Sequence, residues 1–163
     1  MFRIGIIGAG WIAHKMTLAL GYTDEACVYA IASRSEDKAR SFAEEHGIPM
    51  AYGSYEAMLD DPEVDLVYIA TPHSHHFAHA MLALEHGKPV LVEKAFTANA
   101  KEAKILIDTA RNKGLFITEA IWTRYMPLSH KIREIMDSGI IGEPRIITAT
   151  LCYMMEHKER IVK

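Results

Sequence analysis

The sequence is short of several things, and each shortage excludes a class of protein. It has two cysteines, Cys27 and Cys152, in 163 residues. That is too few, and too far apart, for a disulfide framework or a cysteine-rich zinc module. Both sit in apolar segments, so they are expected to be buried and reduced, as in a cytoplasmic protein. There is no excess of charge of one sign. Lys and Arg number 18 against 21 Asp and Glu, for a net charge of -3, which gives no basis for nucleic acid or an anionic membrane surface as partner. Long apolar runs are missing as well. None approaches the roughly 20 residues of a membrane span. The opening Met1-Phe2-Arg3-Ile4-Gly5-Ile6-Ile7 lacks the h-region and cleavage site of a signal peptide and reads as a first strand. Neither an internal repeat nor a low-complexity linker is present.

What is present is an alternation of short apolar runs with longer amphipathic ones. Phe2–Ile7, Cys27–Ala32, Met50–Tyr52, Asp65–Ala70, Pro89–Val92 and Leu115–Thr118 read as strands. Near-continuous apolar runs of this kind belong to parallel strands covered on both faces. Between them Trp11–Leu20, Ser35–His46, Ser54–Leu59, His73–His86 and Ala100–Asn112 read as helices. Glycines at 21, 47, 87 and 114 stand where four of them stop, and Asn99 with Glu102 has the spacing of a capping box. Strand–helix alternation predicts βαβ units, right-handed crossovers and an α/β, Rossmann-type, doubly wound parallel sheet. The pattern changes beyond Thr118. Leu128–Asp137 is one more expected helix and Arg145–Tyr153 an Ile- and Thr-rich strand, followed by a charged tail, Met154–Lys163. The expected organisation is a dinucleotide-binding domain over 1–121 and, over 122–163, only the first helix and strand of a second domain. An unpaired strand at 145–153 offers an edge through which copies of the chain could associate into a homo-oligomer.

Gly8-Ala9-Gly10-Trp11-Ile12-Ala13 matches G-x-G-x-x-G/A, and it follows a strand and opens a helix, the context the pattern requires. Gly8 permits the tight turn, Gly10 lets the backbone approach a pyrophosphate, and Ala13 lets helix and strand pack closely. Trp11 and Ile12 open the helix whose N-terminal amides and dipole face the phosphates. The second strand ends in Ala32-Ser33-Arg34-Ser35, with no Asp or Glu from Val28 to Ser35 to accept from a ribose 2′-hydroxyl. Ser33 and Arg34, with Lys38 about one turn on, suit a 2′-phosphate instead. NADP is therefore the expected cofactor, with NAD the alternative.

Ligands of open parallel sheets bind beyond the carboxyl ends of the strands. That rule selects Thr71-Pro72-His73-Ser74-His75-His76, Glu93-Lys94-Ala95-Phe96 and Glu119-Ala120-Ile121-Trp122-Thr123-Arg124-Tyr125. His75 and His79 have the i, i+4 spacing of a metal pair, but no neighbouring carboxylate or cysteine completes a site, and no metal is expected there.

On these motifs the sequence resembles the glucose–fructose oxidoreductase, inositol dehydrogenase and rhizopine-catabolism (Gfo/Idh/MocA) oxidoreductases over essentially its whole length. The carriers are Gly8 to Ala13, Ala70 to His76, Glu93-Lys94-Ala95 and Ile141-Gly142-Glu143-Pro144. Residues Glu119 to Tyr125 are more specific and look like the dimeric dihydrodiol and NADP-dependent D-xylose dehydrogenases. The resemblance implies NADP-linked oxidation of a small-molecule sugar or cyclic diol. It implies that Lys94 stands beside the nicotinamide and the reacting hydroxyl, with Glu93 orienting it. It makes His76 the third catalytic candidate and puts Thr71, Pro72, His73, Glu93, Lys94 and Trp122 against the cofactor. Trp122 and Arg124 are the expected substrate residues. Ala95 replaces the family's usual proline, which leaves the aim of Lys94 open. Family members continue into a second domain that supplies much of the substrate chemistry, so this chain is expected to bind cofactor with little or no turnover. Two other readings stand beside it: a non-enzymatic redox-sensing or regulatory nucleotide-binding module, and an assembly domain built on the 145–153 edge.

Overall fold

The structure is a computed structural model and describes residues 1–152. Met1–Ile121 forms one compact unit and a second begins at Trp122.

The first unit is a six-stranded parallel sheet in the order β3-β2-β1-β4-β5-β6. The strands are β1 (Phe2–Ile7), β2 (Ala26–Ala32), β3 (Met50–Tyr52), β4 (Leu66–Ile69), β5 (Val90–Val92) and β6 (Ile117–Glu119). The helices are α1 (Trp11–Leu20), α2 (Glu36–His46), α3 (Tyr55–Leu59), α4 (His76–Glu85) and α5 (Ala100–Lys113). The expected doubly wound α/β fold is therefore present. Successive strand residues serve opposite faces, as the pleat requires. Ile4, Ile6 and Tyr68 join Ala13 of α1 and Phe42 of α2 in one core layer. Ile7, Val67 and Ile69 join Ala80 and Leu84 of α4 and Leu106 of α5 in the other. Helix burial follows the 3.6-residue period: in α4 it falls on His76, Ala80, Ala83 and Leu84. Between Ile4 and Gly5 the register with β2 shifts and skips Tyr29.

Local chemistry sets the helix ends. Ser35, Ser54 and Asn99 cap α2, α3 and α5 by accepting from the N–H three residues on. The segment expected as one helix from His73 to His86 splits into a 3-10 turn, His73–His75, and α4 proper. Pro72, with ψ 147, stands just before the turn in extended backbone.

The second unit holds a 3-10 turn, Trp122–Tyr125, and α6 (Pro127–Asp137), which starts with proline in its first turn. Ser129 Oγ donates to the Thr123 carbonyl at 2.5 Å and ties the two together. Leu128, Ile132 and Ile135 lie exposed at helical spacing. The expected strand at 145–153 is not formed over its described part, 145–152, and Tyr153 with the tail Met154–Lys163 lies outside the described residues. Its Ile- and Thr-rich composition favours an extended chain, but a strand exists only through a paired neighbour, and none pairs with it among the described residues. Cys152 is correspondingly exposed rather than buried, and Cys27 in β2 is half-buried.

Candidate nucleotide-binding site

The site is built where the strand order turns back. β1 lies centrally, β2 and β3 run out to one side and β4, β5 and β6 to the other, so the loops after β1 and β4 diverge and leave a crevice. The carboxyl ends are laced together. The Gly8 N–H donates to Ala32 O at 2.9 Å, Ala70 N–H to Ile7 O at 2.9 Å, Glu93 N–H to Ile69 O at 3.1 Å and Ala120 N–H to Val92 O at 2.7 Å. Each loop thus leaves the sheet from a fixed point.

The loop after β1 is shaped by its glycines. Gly8 has φ +105, and a Cβ there would lie 3.0 Å from both Ala70 O and Thr71 Cγ2. Only glycine suits both the dihedral and the contact with the β4 loop. A Cβ on Gly10 would meet nothing within 4 Å: the space beside it is open. Gly10 is also the N-cap of α1 and has no side chain to bond the first-turn amides, unlike Ser35, Ser54 and Asn99. A pyrophosphate fits this arrangement, because it needs close backbone approach and unspent N–H donors at a helix start. Trp11 is 65% exposed and Ile12 half-buried, while Ala13 is fully buried against the sheet.

At the end of β2, Ser33 is buried and its Oγ accepts the Ser35 N–H at 3.4 Å. Arg34 and Lys38 are exposed. The field of Arg34 reaches Tyr55 and His79, opposing the burial that pushes the Tyr55 phenol up and adding to the burial that pushes His79 down. His79 Nδ1 lies 3.0 Å from Thr71 Oγ1, and the His79 ring meets Tyr55 edge-on and stacks on His75.

Beyond β4, Thr71 is half-buried and Pro72 and His73 exposed. Beyond β5, Lys94 is exposed and its backbone N–H donates to Glu93 Oε2 at 3.1 Å; the Lys94–Ala95 peptide is cis. Glu93 Oε1 accepts from the phenol of Tyr68 at 2.5 Å. Burial first, then the Glu93 carboxylate, pushes that phenol well above its ordinary value of 10.0. The Phe96 N–H donates to Glu119 Oε1 at 2.8 Å, so β6 also steadies this loop. Glu119 opens the Glu119–Tyr125 stretch that the sequence singled out, but Tyr68 carries no motif signal. Tyr68 differs from its neighbours only as a phenol inside an aliphatic strand.

His76 is fully buried. Its Nδ1 lies 2.7 Å from Ala95 O and its Nε2 2.8 Å from Thr71 O. Both ring nitrogens are taken by backbone, so the imidazole bridges the β4 and β5 loops and faces no open space. A direct catalytic role needs a ring nitrogen within reach of the reacting atoms, whereas both nitrogens here face backbone carbonyls. Trp122 and Arg124 are exposed residues of the second unit.

A glycine turn at the switch point, an uncapped helix start behind it and a basic residue after the second strand define the dinucleotide-binding domain of an oxidoreductase. The profile described as the oxidoreductase family with NAD-binding Rossmann fold matches residues 2–120, and the chain belongs to that family. It is 40% identical over 162 residues to the human trans-1,2-dihydrobenzene-1,2-diol dehydrogenase, covering 98% of this chain and 48% of that one. It is 62% identical over 91 residues to the D-xylose 1-dehydrogenase (NADP(+)) of Hypocrea jecorina, covering 56% of this chain and 23% of that protein. Among solved structures, a 3-ketoreductase from Actinomadura kijaniata in complex with NADP matches at 35% identity with a TM-score of 0.77, over 87% of this chain and 45% of that one. A probable dehydrogenase from Thermotoga maritima matches at 27% identity with a TM-score of 0.79, over 86% and 42%. The chain spans about half the length of the curated relatives it matches along its whole length. Among the described residues no helix is long and apolar enough to cross a membrane.

Proposed function

We propose that this chain binds NADP(H), in preference to NAD(H), and forms the cofactor half of a cytoplasmic dehydrogenase acting on a hydroxyl of a sugar or cyclic diol. The observation that carries the reading is the open glycine turn at the start of α1 together with Arg34, in place of an acid, after β2. Gly8, Gly10, Trp11, Ile12 and Ala13 form the pyrophosphate cradle; Ser33, Arg34 and Lys38 take the 2′-phosphate; Thr71, Pro72 and His73 wall the crevice. When bound, the nicotinamide supplies the hydride acceptor. Lys94 holds the reacting hydroxyl through its ammonium and stabilises negative charge developing on that oxygen. Glu93, fixed by Tyr68, holds the backbone of Lys94 and so aims it. His76 keeps the two flanking loops in register. Trp122 and Arg124 contribute to the substrate side, as the opening of a second domain that starts at Trp122.

Two of the relatives, a diol dehydrogenase and an NADP-dependent xylose dehydrogenase, support the substrate class. Calorimetric titration of the chain with NADPH and with NADH tests the cofactor. The expectation is NADPH binding at least tenfold tighter, with the difference removed by Arg34→Ala; equal affinities would remove the 2′-phosphate assignment. An assay of hydride transfer from aldoses and diols to NADP is expected to show binding with little or no turnover by this chain alone. Turnover at the rate of a complete dehydrogenase would overturn that part.

A further inference from the structure

Away from the nucleotide crevice, three metal-ligating side chains converge between α1 and α2. His14 lies on α1; Glu45 and His46 form the last turn of α2. His14 Nδ1 is 2.6 Å from His46 Nε2, and Glu45 Oε1 is 3.6 Å from the first and 3.7 Å from the second. All three ligand atoms lie within 4.8 Å of one another. We propose that His14, Glu45 and His46 bind one divalent transition-metal ion of the zinc class, clamping α1 to α2.

The donor set fits that class. Two imidazoles and one carboxylate suit a borderline cation better than calcium or magnesium, which want oxygen. The spacing fits as well. Tetrahedral ligands about 2.0–2.1 Å from zinc lie about 3.3–3.5 Å apart, close to both separations involving Glu45. The His14–His46 separation is shorter by about 0.7 Å on the same geometry, so the rings part slightly as the ion replaces the proton between them. A hydrogen bond between two histidines explains their contact with each other. It does not explain why a carboxylate oxygen stands nearly equidistant from both nitrogens.

The cluster is also held in shape before any ion arrives. Phe42, itself buried, packs against both rings, with centroids 4.4 Å from His14 and 4.6 Å from His46. The side chain of His46 is 10% exposed and that of His14 34%, while Glu45 at 62% faces solvent. Such a site is fixed on the helix side and open on the other, with room for a water as fourth ligand. In sequence Glu45 and His46 are adjacent but His14 lies 32 positions before His46, and no motif spacing reveals the three together.

The test uses the full 163-residue chain, free of any affinity tag and stripped with chelator, titrated with Co2+ and followed by visible absorption, then displaced with Zn2+. One ion per chain with the intense ligand-field bands of low-coordinate cobalt is expected. His14→Ala and Glu45→Gln are each expected to weaken binding roughly tenfold or more, and Zn2+ to raise the thermal midpoint of the wild type but not of His14→Ala. Both changes sit at partly exposed helical positions, and alanine is the best helix former. NADPH titration serves as the fold control and is expected to be unchanged. Absence of the cobalt bands would overturn the proposal by showing that a proton alone occupies the cluster. Binding undiminished in His14→Ala would overturn it too, because the ion would then sit elsewhere, for example at His73, His75 and His79.

Discussion

The Tyr68 phenol and the Glu93 carboxylate meet at 2.5 Å across the carboxyl ends of two neighbouring strands. Tyr68 is buried in β4, and the other oxygen of Glu93 takes the backbone N–H of Lys94. A buried side chain therefore fixes the residue that fixes the lysine. Tyr68→Phe is expected to cost about 1–3 kcal/mol, the range for leaving a partly buried charged acceptor short of a donor. Thermal unfolding would register it as a loss of several degrees. The raised phenol also links stability to alkaline pH. The folded state keeps a proton that the unfolded chain gives up near 10.0, so this contribution is full below pH 10 and declines as pH rises above it. The decline should be shallower in Tyr68→Phe, and an identical alkaline limb in both proteins would rule the coupling out.

His76 makes a different kind of link. Its two nitrogens face Thr71 O and Ala95 O; carbonyl oxygens only accept, and an imidazole with a single N–H donates to one of them at a time. His76→Ala removes the ring and its N–H donor from between the two carbonyls and opens a cavity, with an expected cost of about 2–5 kcal/mol. His76→Asn keeps a donor and should recover part of it. A positioning role predicts that NADPH affinity falls in step with loop order, read by hydrogen exchange at Thr71–His73 and Lys94–Phe96. Weaker binding with unchanged exchange would point to direct contact instead.

Gly8 and Gly10 separate folding from binding. Alanine at Gly8 collides with Ala70 O and must hold φ near +105, which costs about 1–3 kcal/mol. Alanine at Gly10 meets nothing in the protein. Gly10→Ala is therefore expected to melt within about a degree or two of the wild type, since an unhindered surface change is nearly neutral, yet to lose NADPH binding by calorimetry. Retained binding in Gly10→Ala would show that no ligand approaches that backbone.

His79 sets an acid limit. Burial first, then the neighbouring His75 and Arg34, depresses it below its ordinary 6.5. The unfolded chain takes up a proton near that value while the folded chain resists it. The stabilising contribution is full above pH 6.5 and is lost as pH falls toward the lower folded value. Denaturant midpoints measured from pH 7 down to about pH 5 should drop less steeply in His79→Gln than in the wild type. Parallel slopes would remove His79 as the source.

Much of this fold was legible along the chain, because the information is local. Apolar runs of strand length, serine and asparagine caps and the Gly8–Ala13 turn each act within a few residues, and together they dictate βαβ units and the family to which the chain belongs. The candidate site was legible as three loops for the same reason: strand ends can be read from the pattern. What bridges those loops was not. His76 is separated from Ala95 by 19 positions, Tyr68 from Glu93 by 25 and His14 from His46 by 32. Their partners are chosen by sheet order and helix packing, which no local pattern encodes. The 145–152 segment shows the converse. Its side chains favour an extended backbone, but a strand is a relation between two chains of hydrogen-bonding groups, and only the tertiary structure decides whether the second one is there.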